Sequence, residues 1–325
     1  MGGVMRTVAA ALVLAAGMMI GSGAGAQSFP AKPVRAVIPI TPGSGLDIVG
    51  RLISQKLGDA WGQPVIIENR PGAGTTLGTA VVAKAPADGH TLLVSSNAHA
   101  MSPSVYTKLP YDPLKDFVAV APLARLGQVL VIAPSVGFRN AQQLIAAAKA
   151  NPGKLTFASA GTGGGVHFTG EKFKLAAGID VLHVPYKGGP EAMTDVMMGR
   201  VTYWIPSIGT ALPFIKDGKL LALGVTTRER ASALPDVPSL AELGVAGFED
   251  SIWFGVWAPA GTPFGVVGRI ARDIASALAL PDMRGQLARL AAEPMSMTPA
   301  EFARFVRAEM DAAARVAKIA GITPQ

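Results

Sequence analysis

Short apolar runs along the chain alternate with stretches whose apolar residues recur every three or four positions. In the first such stretch, Val49, Ile53, Leu57 and Trp61 fall on one face of a helix. Apolar runs predict strands at residues 34–40, 65–69, 91–95, 129–133, 155–159, 181–186, 201–205 and 220–226. Because strands that alternate with amphipathic helices are typical of βαβ units, the sequence predicts an α/β fold with mostly parallel sheets.

The C-terminal part of the chain is helical in pattern. Residues 266–290 and 298–321 form two long amphipathic stretches. The second opens with Thr298 and Glu301, which have the spacing of a capping box at a helix start. We therefore predict two long helices at the end of the chain.

Two strand-like segments indicate that the fold has two lobes and that the chain crosses from the first lobe to the second and later returns. They are "APLARLGQVLVIAPS" and "EDSIWFGVWAPAGTP". This pattern predicts one lobe of residues 28–125 plus 253–325 and a second lobe of residues 126–252. A chain of 325 residues also exceeds the size of most single cores. Two lobes joined by two strands favour a ligand-binding cleft between them.

Four glycine-rich loops stand where a predicted strand ends and a helix begins. They are "TPGSG" (41–45), "NRPGAG" (69–74), "AGTGGG" (160–165) and "YKGGP" (186–190). Glycine lets the backbone approach a ligand closely, and free amides at a helix start favour an anion. One such loop alone is explained by a tight turn. Four of them, on both predicted lobes, favour a shared anion-binding cleft.

The N-terminus has the composition of a targeting segment. Arg6 precedes an apolar stretch, and the small residues Ala24 and Ala26 follow it. We interpret residues 1–26 as a cleavable signal peptide rather than a membrane anchor, because the apolar stretch is short for a bilayer. The chain has no cysteine, so no disulfide supports the fold. Export to a bacterial periplasm is predicted.

Charge and motifs exclude several classes of ligand. The net charge of +7 is spread along the chain without a basic stripe, so nucleic acid is not an expected partner. No phosphate-binding P-loop occurs, and "GTGGGV" fails the dinucleotide fingerprint at its last position. The four histidines are not paired at metal spacing. We therefore predict neither a cofactor nor a metal.

Catalysis is not predicted either. Ser96 with His99 is the best nucleophile–base pair that the sequence offers, and it lacks a clear orienting acid. Asp47 stands in the first turn of a predicted helix and has two interpretations. It either stabilises the helix dipole or receives an amine, a hydroxyl or a bridging water from a ligand.

Several longer motifs together resemble one family. They are "FPAKPVRAVIPITPGSGLDIVGRL", "GQPVIIENRPGAGTTLGTAVVAKAPADGHTLLV", "YDPLKDFVAVAPLA", "HVPYKGG", "ALPDVPSLAELGVAGFE" and "WFGVWAPAGTP". From residue 29 onward the chain resembles the Bug proteins, the periplasmic receptors of tripartite tricarboxylate transporters. The resemblance implies a two-lobed, type II venus-flytrap binding protein. It implies a small organic carboxylate as ligand, membrane transporter subunits as partners, a monomeric state and no enzymatic activity.

The resemblance also implies which residues line the site. In such receptors backbone amides and hydroxyls hold the carboxylate, rather than arginine. The expected ligand-binding residues are Thr41, Gly43, Ser44, Gly45, Asp47, Ser95, Asn97, His99, Ser159, Gly161, Thr162, Gly163, His167, Tyr186 and Ser207.

The sequence departs from the family pattern at several of these segments. Ile40 replaces a usual aromatic residue, Ser44 a usual glycine, and Pro206–Ser207 a usual Asp-Asn-like pair. The apolar Trp204 and Ile208 nearby suggest a hydrophobic carboxylate, although strand alternation could turn them into the core. Two other functions stay open at this point. One is an orphan sensor that reports a bound solute to a signalling partner, and the other is a secreted hydrolase.

Overall fold

Strands and helices alternate along the part of the chain that the computed structural model describes, residues 29–322 and residue 324. The predicted signal peptide, residues 1–26, lies outside these residues. Of the described residues, those from Lys32 onward belong to one compact unit. The strands are β1 (Val34–Ile38), β2 (Val65–Asn69), β3 (Thr91–Ser96), β4 (Phe117–Gly127), β5 (Val129–Ile132), β6 (Thr156–Ser159), β7 (Leu182–Pro185), β8 (Leu221–Val225), β9 (Ser251–Pro259) and β10 (Ala292–Pro294).

The helices follow the strands closely in the first two thirds of the chain and dominate its end. They are α1 (Gly45–Trp61), α2 (Thr76–Ala83), α3 (Ala98–Met101), α4 (Ala141–Ala150), α5 (Gly165–Ala177), α6 (Gly189–Met197), α7 (Ile208–Lys216), α8 (Phe264–Ala279), α9 (Pro281–Arg289) and α10 (Pro299–Ile319).

The largest sheet has six strands in the order β10-β4-β9-β3-β1-β2. The strands β2, β1 and β3 run parallel, with Val34 opposite Val65 and Arg35 opposite Thr91. The strands β9, β4 and β10 are joined by antiparallel pairing. The predicted α/β class is confirmed, and the sheet is mixed because the long β9 returns antiparallel to both β3 and β4.

The remaining strands form two small sheets joined through an irregular segment. β5 pairs with β8 antiparallel, and β6 pairs with β7 parallel. Single bridges connect Trp204 to Val131 and Tyr203 to Phe157, so the segment lies between β5 and β6. The strand predicted at 201–205 therefore exists only as isolated bridges.

The predicted C-terminal helices are partly corrected by the structure. The stretch predicted as one helix at 266–290 is two, because Pro281 starts α9 after Leu280 adopts an extended backbone with ψ of 136°. Proline has no backbone N–H and is well tolerated in the first turn of a helix, whereas in a helix interior it removes a hydrogen bond, so the chain starts a new helix here. The capping box of Thr298 and Glu301 is present at the start of α10, as predicted.

Separate apolar cores lie on the two groups of strands. One core packs the six-stranded sheet against α10 and includes Trp253, Trp257 and Phe302. Another packs β5 and β6 against α4 and α5 and includes Phe157 and Phe173. Burying a large side chain of this kind contributes about 1.5–3 kcal/mol to folding. Each group of strands thus has its own hydrophobic support.

The chain passes between these groups at two adjacent points. β4 and β9 are paired up to Gly127 and Ser251. Directly beyond them, the buried Gln128 receives a hydrogen bond at its backbone oxygen from Thr226 N, at 2.9 Å, and Asp250 N donates to Thr226 O at 3.0 Å. We call Gln128, Thr226 and Asp250 the junction. It fixes the two passing segments side by side.

Candidate functional site

The loops at the carboxyl ends of β1, β3, β6 and β7 lead into helix starts. Residues 41–44 precede α1, Asn97 precedes α3, residues 160–164 precede α5, and residues 186–188 precede α6. The carboxyl ends of parallel strands meet at one edge of a sheet, where α/β proteins bind ligands. We call these four segments the strand-end loops.

The first strand-end loop is organised around Asp47. Ser44 caps α1 by accepting a hydrogen bond from Asp47 N at 3.2 Å. Asp47 Oδ2 accepts from Gly43 N and from Arg51 Nε, each at 2.9 Å, and Asp47 Oδ1 accepts from Asn69 Nδ2 at 2.8 Å. Both carboxylate oxygens therefore already have donors within the protein.

The electrostatics of Asp47 follow from this network. Burial by itself would raise the pKa of the Asp47 carboxyl, but hydrogen bonds from Arg51, Gly43 and Asn69 outweigh burial and lower it. The carboxylate is thus ionised at neutral pH and fixes the shape of the loop. This arrangement agrees with the helix-stabilising interpretation of Asp47.

The second strand-end loop carries two buried polar side chains. Ser95 and Asn97 are 0 % and 2 % exposed, and Ser95 Oγ and Asn97 Oδ1 have no hydrogen-bond partner in the structure. A Cβ atom added to Gly165 would lie 2.7 Å from Asn97 Oδ1, so Asn97 faces the first residue of α5. Buried polar atoms without partners cost free energy unless a ligand or water satisfies them.

His99 lies among aromatic side chains of the six-stranded sheet's core. Its ring is fully buried and lies 4.7 Å from the ring of Trp257 and 5.0 Å from that of Phe117. Nε2 faces Pro113 O at 3.2 Å. Burial lowers the pKa of His99 to about 4. The ring is directed into the core rather than toward the strand-end loops.

The third strand-end loop contains two glycines in the left-handed region. Gly161 has φ of +125° and Gly163 has φ of +81°, conformations that other residues rarely adopt. A Cβ atom on Gly163 would lie 2.4 Å from Val105 Cγ1, so the loop packs closely on the segment after α3. The cap residue of α5, Gly164, supplies no side-chain cap. The first amides of α5 are therefore oriented for an anion.

Two histidines lie beside this loop, and His167 is buried whereas His183 is half-buried. The rings of His167 and His183 are stacked with centroids 3.9 Å apart. His167 Nδ1 accepts a hydrogen bond from Gly163 N at 3.1 Å, and His183 Nε2 lies 2.6 Å from Ser159 Oγ. Burial lowers the pKa of His167 to about 4 and that of His183 to about 3.

The remaining residues that the sequence predicts to bind the ligand differ in their contacts and exposure. Tyr186 OH donates to Asp195 Oδ2 at 2.7 Å, and burial raises the Tyr186 pKa to about 12. Ser207 Oγ lies 2.7 Å from Thr210 Oγ1. Thr41 is exposed, and Thr162 is half-buried in the third loop. The structure thus brings Asn97, Gly163 and Gly165 together, whereas Tyr186 and Ser207 are engaged by neighbours on their own segments.

The apolar residues near Ser207 belong to the core. Trp204 and Ile208 are 2 % and 1 % exposed, and both pack in the core around β5 and α6. The sequence argument for a hydrophobic cleft at these positions therefore loses its support. Alternation along an extended segment cannot by itself say which face is covered.

Sequence reasoning did not assign a role to His183, Glu171 or Lys174. His183 stands inside the quoted motif "HVPYKGG". His167, Glu171 and Lys174 follow one another at helical spacing on α5, and Lys174 pairs with Glu171 at 2.9 Å. This spacing predicts that the three side chains share one face of the helix. The sequence does not predict that His183 stacks on this face, because the stacking depends on how β7 packs.

Neither a metal-binding group nor the nominated Ser96–His99 pair is present in the described part of the chain. No group of three or more His, Cys, Asp or Glu residues there could hold a metal ion. Ser96 Oγ accepts from Ala98 N, and His99 faces Pro113 O, so the nominated pair does not form. Among the described residues, no helix is long and apolar enough to cross a bilayer.

Fold and site together define a two-lobed binding protein of the periplasmic type. The sequence profile described as "Tripartite tricarboxylate transporter family receptor" matches residues 49–322. The chain belongs to this family, as its motifs indicated.

Individual relatives agree with this assignment. Protein BugT of Bordetella pertussis is 35% identical over 91% of each chain. A solved structure of an R. palustris protein with adipate is 34% identical, with a TM-score of 0.84, over 91% of this chain and 100% of that one. MatC of Rhodopseudomonas palustris with bound malate is 32% identical, with a TM-score of 0.79, over 89% of this chain and 100% of that one. The predicted Bug-type fold is confirmed, and the family is one of solute receptors rather than enzymes.

Proposed function

We propose that this protein is an extracytoplasmic receptor that binds a small organic carboxylate between two lobes. It then delivers the bound ligand to the membrane subunits of a tripartite tricarboxylate-type transporter. The proposal includes export by a cleavable signal peptide, residues 1–26, and a monomeric receptor in the periplasm.

The observation that carries the proposal is the position of Asn97 against the start of α5. Asn97 is almost fully buried, its Oδ1 has no protein partner, and it faces Gly165. The first amides of α5, which starts at Gly165, have no side-chain cap. A carboxylate bound there would accept hydrogen bonds from these amides and from Asn97 Nδ2, and the helix dipole would favour its charge. Asn97 Oδ1, which only accepts, would take a hydrogen bond from a ligand hydroxyl or a water.

The strand pairing and the separate cores support a division into two lobes. We assign residues 28–125 plus 253–325 to one lobe and residues 126–252 to the other. The pairing of Gly127 with Ser251 at the ends of β4 and β9 supports this division. Asn97 then belongs to one lobe and Gly165 to the other, so a ligand that contacts both would favour lobe closure.

The relatives support a carboxylate of modest size. Two of them were solved with adipate and with malate, each a compound with two carboxyl groups. Helix starts on both proposed lobes would provide amides for two carboxylates. We therefore expect dicarboxylates to bind more tightly than monocarboxylates of the same length.

Calorimetric titration of the exported protein with malate, adipate, citrate, glutamate and benzoate tests the proposal. The protein is first denatured and refolded to remove any bound ligand. Asn97→Asp places a negative charge where the ligand's carboxylate would lie, so it should weaken binding by more than about tenfold. Asn151→Asp makes the same chemical change at the exposed end of α4 and should bind as the unmodified protein does.

Two results would contradict the proposal. One is an unmodified protein that binds none of these carboxylates. The other is an Asn97→Asp variant that is folded and binds with unchanged affinity.

A further inference from the structure

The glycine loop 160–164 is hydrogen-bonded to a layer of polar side chains. Ser159, His167 and His183 make up this layer, and Ser159 and His167 are 0 % and 3 % exposed. Their role extends the proposed function, since the loop above them is the proposed carboxylate site. The question is what they do for that loop.

Each glycine of the loop with a positive φ is connected by hydrogen bonds to one of the two histidines, either directly or through Ser159. Gly163 N donates directly to His167 Nδ1 at 3.1 Å. Gly161 N donates to Ser159 Oγ at 3.2 Å, and Ser159 Oγ lies 2.6 Å from His183 Nε2. These contacts hold the backbone in a conformation that a free glycine segment would populate only part of the time.

The contact to Gly163 also specifies the protonation of His167. An amide N–H can donate only to a ring nitrogen that carries no proton, so Nδ1 of His167 is unprotonated. The neutral ring then carries its proton on Nε2, which faces Glu171 Oε1 at 3.8 Å. Adding a proton to Nδ1 would turn the acceptor into a donor and place two N–H groups against each other.

The surroundings oppose a charge on either ring. The rings face each other at 3.9 Å, so two charged imidazoles would repel. Lys174 on α5 adds positive charge near both rings, while Glu171 on the same helix adds negative charge beside His167. Phe157 from β6 stacks on His183, and Tyr203 stacks on Phe157. Burial and like charge therefore keep both rings neutral at neutral pH.

We propose that His167 and His183 are positioning residues for the glycine loop, and that the loop keeps its ligand-binding shape only while His167 is neutral. Protonation of His167 Nδ1 releases Gly163, so acidification loosens the loop and weakens carboxylate binding. The histidines act on the ligand through the loop and do not need to contact it.

Two variants separate this role from simple packing. His167→Asn keeps an acceptor near the Nδ1 position and cannot titrate in this range. His167→Phe keeps a flat ring and removes the acceptor. If the side chain only fills space, phenylalanine should preserve the loop better than asparagine. If the acceptor holds the loop, asparagine should preserve it better.

The first measurement uses the ligand-free protein. Hydrogen exchange of segment 159–166 is followed from pH 7 to pH 3.5 as protection factors, with α4 as a reference segment that must stay protected. In the unmodified protein, loss of the hydrogen bond to Gly163 should lower loop protection by about tenfold as the pH falls through 4. His167→Asn should show no such step, and His167→Phe should be poorly protected at every pH.

The second measurement is the affinity for malate across the same pH range. The ratio of the affinities of the unmodified protein and His167→Asn cancels the titration of malate itself. This ratio should fall about twofold between pH 6 and pH 4, where half of the His167 rings are protonated, and about threefold by pH 3.5. If no carboxylate binds, the proposed function fails, while the exchange measurement still decides whether the histidines hold the loop.

A third measurement does not depend on how well the variants fold. Nitrogen NMR of the unmodified protein at pH 7 should show Nδ1 of His167 unprotonated and Nε2 protonated. The proposal is overturned by a protonated Nδ1 at pH 7. It is also overturned by loop protection that stays constant through pH 4, or by a His167→Phe loop as protected as that of His167→Asn.

Discussion

Asn97 at the end of β3 lies directly against Gly165 at the start of α5. No Cβ atom fits between them, because it would fall 2.7 Å from Asn97 Oδ1 and 2.9 Å from Asn97 Nδ2. Glycine at this position lets the two segments approach each other. The contact joins residues that the proposed function places on different lobes, so a substitution at this contact tests the ligand site directly.

Gly165→Ala should weaken carboxylate binding by about tenfold or more, because the added methyl displaces the Asn97 side chain. Stability should change little, since alanine is the better helix former. Gly265→Ala is the matched control. Gly265 is exposed in the first turn of α8, and its added methyl would have no neighbour within 4 Å. Titration calorimetry of both variants checks this, and equal affinities would contradict it.

Asp47→Ala should lower the free energy of unfolding by about 1–3 kcal/mol, because it leaves donors on Gly43, Arg51 and Asn69 without their acceptor. The exposed Asp59 on the same helix is the control, and Asp59→Ala should be nearly neutral. Urea denaturation measures both.

The same variant decides between the two interpretations of Asp47. If Asp47 only shapes the loop, its loss should reduce the affinities for malate and succinate equally. A selective loss for malate would show that Asp47 receives the ligand hydroxyl.

His99 should make the protein less stable in mild acid. An unfolded histidine takes up a proton near pH 6.5, whereas the folded His99 does so only near pH 4. The unfolded state therefore binds more protons between these values, and stability falls as the pH falls from 6.5 to 4.

Between pH 7 and pH 5, His99 should account for a loss of about 2 kcal/mol. His99→Phe should remove this part of the pH dependence. Urea denaturation at the two pH values measures it, and an unchanged pH dependence in the variant would contradict the assignment.

Lys172→Met should destabilise the protein by about 3 kcal/mol, because it leaves a buried carboxylate unpaired. Lys172 Nζ lies 2.6 Å from Asp250 Oδ1, and the Asp250 side chain is 8% exposed. Lys154→Met, at an exposed position, is the control. Equal stabilities of the two variants in urea denaturation would show that the ion pair contributes nothing at the junction.

The sequence by itself determined the local structure and the family. Period-two and period-3.6 patterns located β1, β3 and α1, and the capping box located the start of α10, because these signals depend on neighbouring residues only. The glycine loops at strand ends also predicted an anion-binding site, and their part in ligand binding stays a prediction. Pro281 indicates a break between two helices in the sequence as well. The apolar pattern continues on both sides of it, and this pattern therefore predicts the stretch as one helix.

Only the tertiary structure decided which side chains meet. The segment around Trp204 has a strand-like sequence, yet it pairs with Val131 and Phe157 only through isolated bridges. Asn97 meets Gly165, and His183 stacks on His167, through the packing of segments that lie far apart in the chain. The residue pattern determines on which face of a helix or strand a side chain lies, whereas tertiary packing determines which other side chain it contacts.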